Sequence, residues 1–119
     1  MKTDKLIVTN NSLVADSYEN TVDLEGDFLD VLKKVRDMVY ENYSLVSHPL
    51  PASIRMFYSP VRSVIMKPGF SQNSVDLIEE CIEKYELTMG IRKPDYRNLD
   101  DYKVLDLSLL GQAIKEICE

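Results

Sequence analysis

The feature that most restricts this chain is a one-sided apolar stripe. Phe28, Val31, Leu32, Val35, Met38 and Val39 recur at steps of three and four residues. That spacing predicts a helix from Asp27 to about Asn42 with one greasy face and one wet face. Such a face needs a layer to cover it. A second stripe, Val75, Ile78, Ile82, Tyr85 and Met89, predicts a helix over Ser71–Met89, with Gly90 as its C′ residue and Ile91 packing behind it. Lys5-Leu6-Ile7-Val8-Thr9 is too short for a third stripe and reads as a buried strand closed by Asn10-Asn11.

The remaining elements follow in order. Asn11–Tyr18 reads as a short helix, Thr21–Leu24 as a weak strand, Tyr43–Ser47 as a strand and Val61–Met66 as another. Lys67-Pro68-Gly69 reads as a turn, Arg92–Lys103 as a charged connection, and Asp106–Cys118 as a last helix burying Leu110, Ala113, Ile114 and Ile117. Asp27 can cap its helix, and Asp30 with Lys34 and Lys33 with Asp37 stand four residues apart on the wet side. The expected architecture is one α/β domain over residues 1–119. It is a small layered domain with a short, mostly parallel sheet of about four strands flanked by helices.

Charge is distributed unevenly. Acids outnumber bases 20 to 14, yet no Asp or Glu occurs between Asn42 and Val75. That gap holds the single histidine, four of the five prolines, and Arg55, Arg62 and Lys67. Its core is His48-Pro49-Leu50-Pro51-Ala52-Ser53-Ile54-Arg55, followed by Ser59-Pro60-Val61-Arg62-Ser63. A loop from His48 to Pro60 is long for a compact domain, and long loops are commonly functional.

In an open parallel sheet, ligands collect beyond the carboxyl ends of the strands. Asn10 and Asn11 end the first strand and His48 follows the third, so the two groups are expected on one edge. Arg55 and Arg62 then offer a clamp for a carboxylate or phosphate, with Ser53 and Ser63 as neutral donors. His48 is an orienting or proton-sensitive group, because an unperturbed imidazole titrates at about pH 6.5. The competing expectation folds the loop back on the sheet. The arginines then pair with the acidic face of the helix over residues 71–89 or stay solvated, and His48 caps a carbonyl.

Several function classes are disfavoured. A net charge of −6 argues against general nucleic-acid binding. No apolar run approaches the roughly 18 residues of a membrane span, and the apolar run after Met1-Lys2-Thr3-Asp4-Lys5 is too short for a signal peptide. The cytoplasm is the expected compartment. Two cysteines and one histidine are too few for a structural zinc site. Cys81 falls on an apolar face and is expected to be buried, while Cys118 is expected to be exposed and incidental. No GxSxG, GxGxxG or GxxxxGK[ST] pattern occurs. No cofactor is expected.

Together, Lys5–Asn11, Val31–Asp37, His48–Arg55 and Ser59–Ser63 resemble the GrdX family in order and spacing across nearly the whole chain. The family's pattern has a proline after the basic residue of the first loop segment and an aromatic after the second segment's proline. Met56 and Val61 stand at those places here. Members are small proteins encoded beside glycine, sarcosine or betaine reductase genes, selenium-dependent systems of anaerobic amino-acid fermentation. The resemblance implies a cytoplasmic accessory protein. The expectation drawn from it together with the loop chemistry is a non-enzymatic accessory or binding protein. Its segment from His48 to Ser63 contacts a reductase-complex subunit or a small anionic metabolite, a carboxylate or phosphate, with the oligomeric state open. The alternative is a small enzyme or sensor acting on an anionic carboxylate or phosphate, with His48 as general acid or base.

Overall fold

The computed structural model describes residues 4–118, apart from the side chain of Cys118. The expectations for Met1-Lys2-Thr3 and for the Cys118 thiol lie outside the described residues. The first predicted stripe forms α2, Phe28–Tyr40, and all six of its apolar residues are buried. Asp27 caps it reciprocally: its side chain accepts from the Asp30 backbone while Asp30 Oδ2 accepts from the Asp27 N–H. This occupies Asp30, and Asp37 lies 3.4 Å from Arg36. The expected Asp30–Lys34 and Lys33–Asp37 pairs are not among the ion pairs of the described residues.

The second stripe forms α3, Gln72–Met89, which packs beside α2. Ser71 caps its start, and Gly90, at φ +55°, ends it by donating to the Glu86 carbonyl. Ile91 does not fold back on this turn but is 98% exposed. Phe28 of α2 stacks on Tyr85 of α3 with ring centroids 4.7 Å apart, and Phe57 lies 5.8 Å beyond. The three rings tie the proline-bearing loop to the helical layer. Each such contact contributes about 0.5–1.5 kcal/mol beyond area burial.

Among the described residues four strands form one sheet: β1 (Leu6–Thr9), β2 (Thr21–Asp23), β3 (Tyr43–Leu45) and β4 (Ser63–Pro68), in the order β2-β1-β4-β3. The α/β class and strand number are as expected, but the sheet is mixed rather than mostly parallel. Only β1 and β2 run parallel, joined through the short helix α1, Ser12–Ser17. β4 runs antiparallel to both β1 and β3. The chain enters β4 from the loop at the same edge where β3 ended, so it must run back.

In β1, both Ile7 and Val8 are fully buried, so the sheet is covered on both faces. Val8 packs in the cluster with α2 and α3, whereas Ile7 joins Ile65, Val14 of α1 and Leu110 of α4. Fully burying side chains of this kind contributes about 1.5–3 kcal/mol each.

β4 begins at Ser63 rather than Val61 and continues through Lys67 and Pro68, which pair with Ser44 and Tyr43. β1 pairs no further than Met66, so the proline lacks an N–H only where the central strand has already passed its neighbour. The loop contains a short 3-10 helix, Ile54–Tyr58.

α4 spans Leu99–Cys118, beginning seven residues before the expected Asp106. Asp100 and Asp101 occupy its first turn, where the helix dipole favours negative charge. Both are exposed. Asp95 supports the preceding turn by accepting from Arg97 N and Asn98 Nδ2. Val104, Leu105 and Leu109 are exposed on α4, which blurs its apolar period. No helix among the described residues is long and apolar enough to cross a membrane.

Candidate functional site

Antiparallel β4 brings three chain segments to one edge. The carboxyl ends of β1 and β3 meet the amino end of β4, so Asn10, Asn11, His48, Arg62 and Ser63 gather there as expected. Their roles differ from the expectation. Asn10 Nδ2 donates to Gly26 O at 2.9 Å and Pro60 O at 2.8 Å, while its Oδ1 accepts from Arg62 N at 2.9 Å. Asn11, fully buried, caps α1 through Oδ1 and donates from Nδ2 to Lys103 O and Asp106 Oδ2. Both amides spend both donors inside the protein and act as framework.

Ser63 is buried and donates to Asp106 Oδ2 at 2.7 Å. Its single proton is thereby used, so the 2.8 Å contact with Thr9 must run from the Thr9 hydroxyl to Ser63 Oγ. Thr9 Oγ1 in turn accepts from Asn11 N. A one-way chain of hydrogen bonds thus ends on a carboxylate that is only 2% exposed. Asp106 is the site residue that sequence reasoning missed. Its signal was present: it stands four residues before Leu110 and seven before Ala113, in register with the buried stripe of α4.

Arg62 is half-buried just before β4. Its Nε donates to Pro49 O and its Nη2 to His48 O, both at 2.8 Å. Among the described residues no carboxylate lies within ion-pair distance of it, and Nη1 has no hydrogen-bond partner. Burial lowers its pKa from the ordinary guanidinium value, and the charge of Asp106 opposes that shift. Of the competing expectation, pairing of the arginines with the acidic face of α3 is absent among the described residues, whereas Arg55 is exposed to solvent as that reading allowed.

His48 closes a tight turn over Pro49. Its Nδ1 lies 3.0 Å from Leu50 N and 3.1 Å from Leu50 O. One nitrogen cannot serve both. Either Nδ1 accepts from Leu50 N–H and the proton sits on Nε2, or Nδ1–H donates to the carbonyl and Nε2 is a free base.

His48, Arg62, Ser63 and Asp106 border a cavity of about 330 Å³, whose wall includes neither Asn10 nor Asn11. Ser47, His48, Ser53, Arg62, Ser63 and Asp106 supply its polar lining, and Leu50, Met56, Leu109 and Leu110 much of its apolar wall. Ser53 is exposed and caps nothing at the 3-10 helix. Arg55 is exposed on that helix and is not part of the cavity wall, so the two arginines do not form one clamp. Among the described residues no group of three His, Cys, Asp or Glu side chains is placed to hold a metal. Cys81 is buried as expected, and burial raises its thiol pKa.

The family model for GrdX-like proteins matches residues 6–115. The chain belongs to the GrdX-like family. The match runs from β1 into α4 and takes in every cavity-lining residue, so the site belongs to the part of the chain that the GrdX-like model describes. No curated protein and no solved structure matches the chain.

Proposed function

We propose that this GrdX-like protein is a non-enzymatic binding module for a small carboxylate, serving glycine-type reductase systems as an accessory protein. One observation carries the reading: Arg62 presents a partly desolvated guanidinium to a cavity, held by two backbone carbonyls and with no carboxylate of the described residues within ion-pair distance. A guanidinium fixed in this way has donors left for a planar anion. Asp106 lines the same cavity and would repel a doubly charged phosphate more than a singly charged carboxylate. The link to reductases rests on family membership.

Isothermal titration of the purified protein with pentanoate and with inorganic phosphate tests this reading. Pentanoate is expected to bind, and Arg62→Gln to weaken it about 10–100-fold, the range of a lost charge-assisted hydrogen bond. Equal binding by the variant would remove the basis for the proposal.

A second reading has its own support, because His48 also lines the cavity. With Nδ1–H donating to Leu50 O, Nε2 is free to take a proton from a guest. Turnover that is lost in His48→Gln with binding retained would favour the enzyme.

A further inference from the structure

The cavity carries two opposite charges that do not meet. Asp106 Oδ2 is engaged by Ser63 Oγ and Asn11 Nδ2, and no donor among the described residues reaches Oδ1. No fully buried side-chain polar atom of the described residues is left without a partner, so Oδ1 keeps some access to open space, and Asp106 lines the cavity. Arg62 is kept from closing on it by the carbonyls of His48 and Pro49, which fix Nε and Nη2. A carboxylate with so little access to water needs an opposite charge or further donors. Two unpaired opposite charges in one partly dry space are complementary to a guest carrying both signs. A simple anion satisfies Arg62 but meets Asp106, and a simple cation does the reverse.

We infer that the cavity takes a small aliphatic zwitterion, its carboxylate on Arg62 and its ammonium on Asp106, among the side chains of Leu50, Met56 and Leu110. The inference rests on the reading of Arg62 as a carboxylate receptor and adds the nitrogen. The apolar wall suits a hydrocarbon body, and about 330 Å³ leaves room for a chain of several carbons.

Titration of the wild-type protein with 2-aminopentanoate, 5-aminopentanoate, pentanoate and pentylamine at pH 7 tests it. The two amino acids differ only in how far apart their charges stand. At least one is expected to bind tenfold or more tighter than both pentanoate and pentylamine. Asp106→Asn, which still offers an oxygen to Ser63 and Asn11, is expected to cut that advantage to threefold or less. Pentanoate binding as well as the tighter of the two amino acids overturns the zwitterion and leaves the carboxylate site standing. Tightest binding by pentylamine, or binding by none of the four, overturns both. If Asp106→Asn does not fold, the wild-type series alone decides between these outcomes.

Discussion

The Ser63 hydroxyl donates to Asp106 Oδ2 at 2.7 Å across 43 residues of chain, pinning the start of β4 to α4 beneath the cavity. Asn11 Nδ2 reaches the same oxygen at 3.0 Å, so one carboxylate joins three elements. Asp106→Ala leaves two buried donors without an acceptor. Unpaired buried donors cost about 1–3 kcal/mol each, so the expected loss is about 2–6 kcal/mol. Asp106→Asn keeps an oxygen in place and is expected to lose about half as much or less. Urea unfolding followed by circular dichroism measures both, and equal midpoints for the two variants would contradict this role.

Arg62 is expected to hold the proline-bearing loop as well as a guest. Its two 2.8 Å bonds to the carbonyls of His48 and Pro49 tie the residue before β4 to the start of that loop. Arg62→Ala is expected to raise amide exchange at Leu50 and across residues 54–59 while leaving α2 unchanged. Hydrogen-exchange mass spectrometry checks this, because local opening follows local contacts and not global stability. Unchanged exchange over residues 48–59 would show that the buried Phe57 and the Asp95 N–H bond to Tyr58 O hold the segment without Arg62.

Much of this frame was legible from spacing alone. The stripes of α2 and α3, the Asp27 cap and the buried run of β1 are local patterns, and their periods report which face is covered. What stayed hidden was non-local. The direction of β4 depends on which edge the loop returns to, and no local period encodes that. Asn10 and Asn11 looked like ligand donors because their partners, Pro60 O and Asp106, lie 50 and 95 residues away. The start of α4 was obscured because Asp100 and Asp101 favour a helix N-terminus and a solvated connector equally well. Arg55 and Arg62 carry the same charge in the same acid-free stretch, and only the fold separates the exposed one from the one at the cavity.

Gly26 is expected to be the least replaceable glycine. It sits at φ +125°, a conformation L side chains rarely adopt, and a Cβ there would run into the side chain of Asp30. Asp30 cannot yield freely, because its Oδ2 holds the Asp27 N–H in the cap of α2. Gly26→Ala therefore combines backbone strain of about 1–3 kcal/mol with loss of part of the cap, worth roughly a further 0.5–2 kcal/mol. Gly69→Ala, at φ +116° but with open space around it, carries the strain alone. Thermal unfolding is expected to rank Gly26→Ala below Gly69→Ala, and the reverse order would rule out the Asp30 contact as a constraint.

Tyr85 sets the expected behaviour in alkali. Burial, then the charges of Asp27 and Tyr96, hold its hydroxyl pKa well above the ordinary value of 10.0. The unfolded chain gives up that proton near pH 10 while the folded chain keeps it. The associated stability is therefore full below about pH 10 and is lost as the pH rises towards the folded value. One such group costs at most about 1.4 kcal/mol per pH unit. Cys81, also raised by burial from 9.0, adds a loss of the same sign that starts about one pH unit lower. Tyr85→Phe keeps the stacking with Phe28 and Phe57 and gives up only the long 3.4 Å contact to Phe57 O, so its stability at pH 7 is expected to fall by less than about 1 kcal/mol. Above pH 10 its stability is expected to decline less steeply than that of the wild type, until the two curves approach or cross. Parallel curves from pH 9 to 11.5 in guanidinium unfolding would mean that the Tyr85 hydroxyl titrates alike in the folded and unfolded chains.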